Sequence, residues 1–304
     1  MIMNWLKTRV YHWISRRYMH GCSSYNDLAV RRSCRSKAQG RARFAEGGLP
    51  YARGLVFFNP WKAITFAKEH GFPLVIKPNV SGYSRGSYFP INSFGQLCKA
   101  IILAKLWWPT TVVEQYLKGA NYRVVVIEGE IMSVIQRYPP FVTGNGKDSI
   151  ATLIDAENAL RQQMQLLGVM FPIQKDQRIK AYLKKQGLKF ATVPASGERV
   201  ELYFRVALAP GGTVRIIDKT AIHPDNIKLF LHTLQLFKAN ILGVDIIFEN
   251  SIEQSYKDQK CILLEVNSRP YLKMHDYPRY GEKEDLSSYY EALDKLQISQ
   301  PDTF

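Results

Sequence analysis

Two apolar runs in the second half of the chain, 242-LGVDIIFEN-250 and 261-CILLEVN-267, each enclose one carboxylate, Asp245 and Glu265. A carboxylate buried ionised and alone costs several kcal/mol, so each must be paired, protonated or bound to a metal. Glu265 and Asn267 are two residues apart, the period at which side chains of a strand share a face. If the two runs are adjacent antiparallel strands, Asp245 joins them there. Three hard oxygen donors suit Mg²⁺ and not zinc. Magnesium in turn suggests a nucleotide. The chain after this strand, 268-SRPYLKMHDYP-278, is a basic loop that contains His275.

The rest of the pattern alternates short β-rich runs with helices. From Gly48 it reads 54-GLVFF-58, a helix over 60–70, 73-PLVIKP-78, a helix over 93–106, 111-TVVEQYL-117, and 122-YRVVVIEGEIMSVIQRYP-139 as a hairpin turning at Glu128-Gly129. A polar helical region over 150–187 follows, then strands 198–208 and 213–220 around the turn Gly211-Gly212, a helix over 224–239 and the two carboxylate strands. This predicts an α+β body. Between the strand lysine Lys77 and the next helix lies 79-NVSGYSRGSY-88, a small-residue loop. Its backbone N–H groups could close over phosphates while Lys77 pairs with their charge; Gly82 and Gly86 could equally make an ordinary turn.

A length of 304 residues with 46% apolar composition allows one large domain or two packed lobes. Cys22, Cys34, Cys98 and Cys261 lie far apart, without CxxC or Cys/His spacing, so neither a disulfide framework nor structural zinc is indicated and a reducing cytoplasm is the expected compartment. No stretch is long and apolar enough to predict a membrane span. The formal charge is +15, and residues 1–50 hold ten Lys or Arg against only Asp27 and Glu46. Finger spacings, RNP-type aromatics and basic heptads are missing, so no specific nucleic acid is expected. Basic clefts also suit phosphate or carboxylate substrates. Within the first twenty residues Trp5, Leu6, Val10, Trp13 and Ile14 recur at helical spacing among basic residues, a basic amphipathic helix whose apolar face should be covered by the body or by a partner chain, with membrane-surface contact and a transit peptide as alternatives. Residues 21–36 read as a polar linker.

The segments 37-KAQGRARFAEGGLP-50, 71-GFPLVIKP-78, 112-VVEQYLKGANYRVVVIEGE-130, 136-QRYPPFVTGNGKDSI-150, 211-GG-212, 222-IHPDN-226, 242-LGVDII-247 and 264-LEVNSRPYLKMHDYP-278 together resemble an ATP-grasp ligase. Within that superfamily the chain is similar to the ATP-grasp module of cyanophycin synthetase and of bifunctional glutathione synthetase. The resemblance runs from about Lys37 to Gly281. It implies the ATP-grasp fold, with two α+β lobes at 37–118 and 119–290, ATP between them, and a tail over 291–304. It implies ATP and Mg²⁺, or Mn²⁺ in its place, as cofactors, and carboxylate and amine small molecules or peptides as substrates. Lys37 and Lys77 match the two phosphate-holding lysines, and the loop with Ser84 and Gly86 matches the flap over them. Glu114, Gln115 and Leu117 match the hinge that receives adenine, and Asn121 the ribose contact. Arg123 and Arg137 match arginines of the phosphate and substrate region. Asp245, Glu265 and Asn267 match the metal ligands, and Arg269 and His275 fall in the acceptor segment.

The departures are specific. Ser84 stands where the flap ordinarily has glycine, Asn121 where an acid reaches the ribose, and Tyr203 and Ala207 where the family has Arg and Asn, with Arg205 displaced by one strand period. The domain that ordinarily precedes the first lysine is expected to be largely absent, reduced to residues 1–36. The expected activity is ATP-dependent joining of a carboxylate to an amine through an acyl phosphate. The alternative is a degenerate ATP-grasp protein that binds nucleotide without turnover.

Overall fold

The computed structural model describes residues 25–34, 36–81 and 86–295. The amphipathic segment at the start of the chain, Cys22 and Ser84 therefore lie outside the described residues. Two short helices come first, α1 (Leu28–Ser33), capped by Asp27, and α2 (Lys37–Glu46), capped by Ser36. Residues 25–34 are more than a linker: Val30 is buried, and the Asn26 amide donates to the Ile241 and Ser268 carbonyls at 2.8 Å each.

The smaller lobe contains β1 (Gly54–Phe57), α3 (Trp61–His70), β2 (Leu74–Pro78), β3 (Tyr88–Ile91), α4 (Phe94–Lys105) and β4 (Thr111–Gln115). Its strands form an antiparallel sheet in the order β1-β4-β2-β3. Strand alternation decides what each face carries. Leu55, Phe57, Leu74, Ile76 and Val113 turn to the core against Ala63 and Phe66 of α3 and Leu97, Ala100 and Ile101 of α4. The opposite face carries Lys77 and Glu114, diagonal neighbours in the β2/β4 register.

The larger lobe begins with β5 (Ala120–Ile127) and β6 (Glu130–Tyr138), a hairpin turning on Glu128 (φ 46°) and Gly129 (φ 89°), the positive-φ pair that a tight hairpin turn demands. Then follow β7 (Phe141–Thr143), α5 (Ile150–Gln163), α6 (Gln177–Lys185), β8 (Arg199–Glu201), β9 (Thr213–Ile217), α7 (Pro224–Phe237), β10 (Ile241–Phe248), β11 (Cys261–Asn267), α8 (Lys273–Asp276) and α9 (Ser287–Lys295). The main sheet runs β11-β10-β5-β6-β9, antiparallel throughout, with β7 and β8 paired apart. Its back face, with Tyr122, Val124, Val134, Val244 and Ile246, packs on Leu229, Phe230, Leu234 and Phe237 of α7 and on Phe44 of α2. Burying a side chain such as Phe44 contributes roughly 1.5–3 kcal/mol, which fixes α2 to the larger lobe although it also reaches the smaller one. Both sheet edges are covered, β11 by the Pro50 carbonyl, which accepts from Leu263 N, and β9 by Arg279 and Tyr280, bonded to Val214 and Ile216; covered edges resist pairing with other chains.

The sequence pattern overextends one strand. Instead of a strand over 198–208, β8 ends at Glu201 and residues 202–212 form a loop. The reason lies across the molecule: this loop sets Phe204 edge-on against Phe89 of β3, ring centroids 5.4 Å apart, and sends Arg205 to the Ser87 carbonyl at 3.0 Å. Of the four cysteines, Cys34, Cys98 and Cys261 are described, and they are unpaired. No helix among the described residues is long and apolar enough to cross a membrane.

Candidate functional site

On the smaller lobe the site is organised around Glu114, which is buried. One of its oxygens takes Lys77 Nζ at 2.5 Å, the other Arg41 Nη1 at 2.7 Å. Arg41 also donates to the Gly54 carbonyl at 2.9 Å. Gly54 faces Glu114 in the register, and a Cβ there would meet the Val113 carbonyl at 2.2 Å and Glu114 Cγ at 2.8 Å, so only glycine leaves room for the pair. Lys37 stands at the first position of α2. Its Nζ donates to Ser81 Oγ at 3.2 Å, and the helix start is tied down by Asn79, whose side-chain oxygen accepts from Ala38 N at 2.9 Å. Burial holds the Lys37 pKa below the ordinary amine value and Lys77 adds to that, while Glu265 and Glu114 oppose it. Lys37 therefore lies within electrostatic reach of the other lysine, of Glu114 beside it and of Glu265 on the larger lobe.

On the larger lobe, register builds the opposing surface. Glu265, Asp245, Arg123 and Ile135 stand opposite one another across β11, β10, β5 and β6, so their side chains share the face turned away from α7. Asn267 lies beside them, opposite Gly243, and Arg137 pairs with Asn121. The expectation that Asp245, Glu265 and Asn267 share a face holds. Asp245 is gripped by two arginines: Arg123 Nε and Nη2 reach its oxygens at 2.6 and 2.8 Å, and Arg137 Nη2 comes within 3.0 Å. Burial alone would raise the Asp245 pKa, but Arg123 and Arg137 outweigh it and hold the carboxyl below the usual range. For Arg123 the balance against burial is tipped upward by Asp245; for Arg137 burial prevails and lowers it. Asn121 accepts from Arg137 Nε at 2.7 Å and so aims that guanidinium.

His275 is fully buried on α8, and neither ring nitrogen has a hydrogen-bond partner. Burial, reinforced by the Arg123 and Arg137 charges, lowers its pKa to about 3. It is neutral at physiological pH. Arg269 is exposed just beyond β11, and Gln115 and Leu117 are half-buried at the end of β4 and past it. Gly86 has φ +70°, and a Cβ there would strike Trp107 at 2.6 Å and Pro78 at 2.8 Å. This backbone requires glycine. Arg205 leaves its Nε buried without a partner while Nη2 binds Ser87. Sequence reasoning missed Arg41 and Asn79. Arg41 was findable, since it lies four residues after Lys37 and so on the same helix face; Asn79 was not, because its role exists only where the β2 loop meets α2.

The donor set was tested for a divalent cation. Among the described residues no group of three or more His, Cys, Asp or Glu side chains gathers to hold a metal. The candidate set is instead two carboxylates and an amide. Asn267 has a buried amide nitrogen without a partner, and exchanging the amide's N and O would turn an acceptor toward the same space. The Glu265 carboxylate has no hydrogen-bond partner among the described residues, and Asp245 Oδ1, which takes only Arg123 Nε, keeps a lone pair, whereas Oδ2 is engaged by both Arg123 and Arg137. Hard oxygen donors of this kind fit Mg²⁺.

No family model matches the chain. Cyanophycin synthetase of Geminocystis herdmanii is 32% identical over 259 residues, which cover 84% of this chain and 29% of that protein. The glutathione biosynthesis bifunctional protein GshAB of Clostridium perfringens is 31% identical over 215 residues, covering 69% and 27%. The chain thus spans less than a third of the length of these curated relatives. Among solved structures, a bifunctional glutathione synthetase from Pasteurella multocida superposes with a TM-score of 0.63 at 22% identity, over 89% of this chain and 38% of that one.

Proposed function

This chain is an ATP-grasp relative of cyanophycin synthetase and of the bifunctional glutathione biosynthesis protein, and on that premise we propose that it is an ATP- and Mg²⁺-dependent carboxylate–amine ligase. The observation that carries the reading is the convergence of Lys77 on the smaller sheet and Lys37 at the start of α2 on the row Glu265–Asp245–Arg123 of the larger sheet, with Lys37 in electrostatic reach of both Lys77 and Glu265. Two cations facing two carboxylates suit a polyphosphate and its metal.

In this reading Glu265, Asn267 and Asp245 would hold Mg²⁺, which when bound supplies charge neutralisation at the phosphates. Lys37 and Lys77 bind phosphate oxygens, with Glu114 and Arg41 keeping the Lys77 ammonium in place. A substrate carboxylate oxygen attacks the γ-phosphorus, the bond to the β-bridging oxygen breaks, and an acyl phosphate and ADP result. The amine then attacks the acyl carbon, phosphate leaves, and the amine proton passes to solvent or phosphate. Arg123 and Arg137, fixed by Asp245 and Asn121, present preorganised positive charge to the negative charge that develops on transfer. His275 is buried too deeply to touch a substrate; kept neutral, its ring adds no positive charge beside Arg123 and Arg137.

The test is phosphate release from ATP and Mg²⁺ across amino acids and dipeptides offered as paired carboxylate and amine substrates. Release that depends on both substrates, with an amide product seen by mass spectrometry, is the expected result; nucleotide binding without substrate-dependent release anywhere in the panel would overturn it. That outcome is what the second reading requires, a nucleotide-binding protein without turnover, and the engagement of both Asp245 oxygens by guanidiniums favours it.

A further inference from the structure

A second pocket lies on the other side of the main sheet. Arg215 and Val214 are neighbours on β9, and Val214 stands opposite Arg137, so Arg215 points to the face opposite the cleft. Tyr138, next to Arg137 on β6, turns the same way. These two, with Phe141, Arg199, Tyr280 and Gly281, line a pocket of about 420 Å³. Arg199 Cζ sits over the Phe141 ring, 3.7 Å from its centroid, and 4.8 Å from that of Tyr138; Tyr280 is nearly parallel to Phe141, with centroids 6.1 Å apart. The strand-like segment that covers the β9 edge brings Tyr280 there, bridged to Arg215.

Charge in this pocket is unbalanced. Glu157 lies near Tyr280, but Arg279 and Arg161 take it at 2.9 Å each. Neither Arg199 nor Arg215 has a hydrogen-bond or ion-pair partner among the described residues. The cation–π contact holds Arg199 over its ring and uses none of its N–H donors, whose fork matches two oxygens of one anion.

We propose that this pocket is a second ligand site, separate from the interlobe cleft, for an oxyanion held between Arg199 and Arg215 against the aromatic wall of Tyr138, Phe141 and Tyr280. A guanidinium fork accepts carboxylate and phosphate alike, so the ligand is either a peptide carboxylate or free phosphate. The inference does not depend on the ligase reading, because Arg215 and Tyr138 turn to the face of the main sheet opposite the cleft.

Calorimetric titration of the full chain with inorganic phosphate, and separately with the capped dipeptide N-acetyl-Asp-Asp-amide, tests it and distinguishes the two sources. At least one should bind saturably. Arg199→Gln/Arg215→Gln should raise its dissociation constant about tenfold or more, as expected on loss of charge-assisted hydrogen bonds. The cleft variant Lys77→Met and the surface variant Lys184→Gln should leave it within about twofold. Both arginines are exposed, and the single variant Arg215→Gln, expected to weaken binding in the same direction, serves if the double one folds poorly. Saturable binding by neither ligand, an unchanged titration in the arginine variants, or equal loss in Lys77→Met would overturn the proposal.

Discussion

Asp245 and Glu265 face each other in the register, yet their electrostatic surroundings differ and their substitutions should part company. Asp245→Asn leaves Arg123 and Arg137 buried together without the carboxylate they hydrogen-bond, Glu265 remaining as a more distant counter-charge, and breaking such a pair from one side costs about 3–5 kcal/mol. Glu265→Gln removes no side-chain hydrogen bond among the described residues and should cost less than about 1 kcal/mol, while under the ligase reading it lowers turnover about a hundredfold. Urea unfolding of both variants beside their turnover separates the roles; equal stability in the two would refute the arginine-clamp account of Asp245. His275 predicts a pH dependence of a definite sign. Its pKa falls from the ordinary 6.5 to about 3 in the folded chain, so between these values the unfolded state binds a proton that the folded state refuses. Stability contributed by neutral His275 is therefore full above about pH 6.5 and declines as the pH falls, with a slope approaching ~1.4 kcal/mol per pH unit. His275→Leu should flatten that slope relative to wild type between pH 6 and 4.5, measured by urea unfolding at each pH. Parallel curves would mean that the ring is not held neutral.

At the scale of elements, the loop after β8 joins the lobes. Phe204 packs edge-on against Phe89, which also stacks on Tyr116 at 6.1 Å, and Arg205 binds Ser87 next to the flap. These contacts add little to either core, since Phe204 and Arg205 are only half-buried. Phe204→Ala and Arg205→Ala should thus leave the melting temperature within a few degrees, yet speed protease cleavage between 202 and 212 and raise the KM for ATP severalfold under the ligase reading. Unaltered cleavage in both variants would remove the loop's role as an interlobe clasp.

For the whole molecule, each sheet brings paired charges to the cleft, Lys77 with Glu114 on the smaller and Asp245 with Arg123 and Arg137 on the larger, and α2 belongs to both: Phe44 anchors it in the larger core while Lys37 and Arg41 reach the smaller sheet. A nucleotide held by both lobes stabilises the folded chain by mass action, about 2.7 kcal/mol at a hundred times its dissociation constant. ATP with Mg²⁺ should accordingly raise the melting temperature of the wild type. Lys77→Met should abolish most of that rise; because the substitution also frees Glu114 from one partner, the apo protein should melt slightly lower, with Arg41 still pairing the carboxylate. A full ATP-dependent rise in Lys77→Met would take Lys77 out of the nucleotide site.

Much of this was legible in the chain itself. Period-two spacing put Glu265 and Asn267 on one face, apolar flanks announced that Asp245 was buried, and Glu128-Gly129 marked the hairpin, because strand alternation and turn chemistry are local. The strand predicted over 198–208 failed for a non-local reason: Phe204 and Arg205 gain more from Phe89 and Ser87, more than a hundred positions earlier in the chain, than from extending a three-residue ladder. Nor could sequence tell that Glu114 would be held by Lys77 and Arg41, or that two arginines would claim Asp245, since those partners are chosen by sheet order. Local chemistry determined which residues must be buried, paired or turned; the tertiary structure decided with whom, because β10 meets β5 and α2 meets β4 only when the chain is folded.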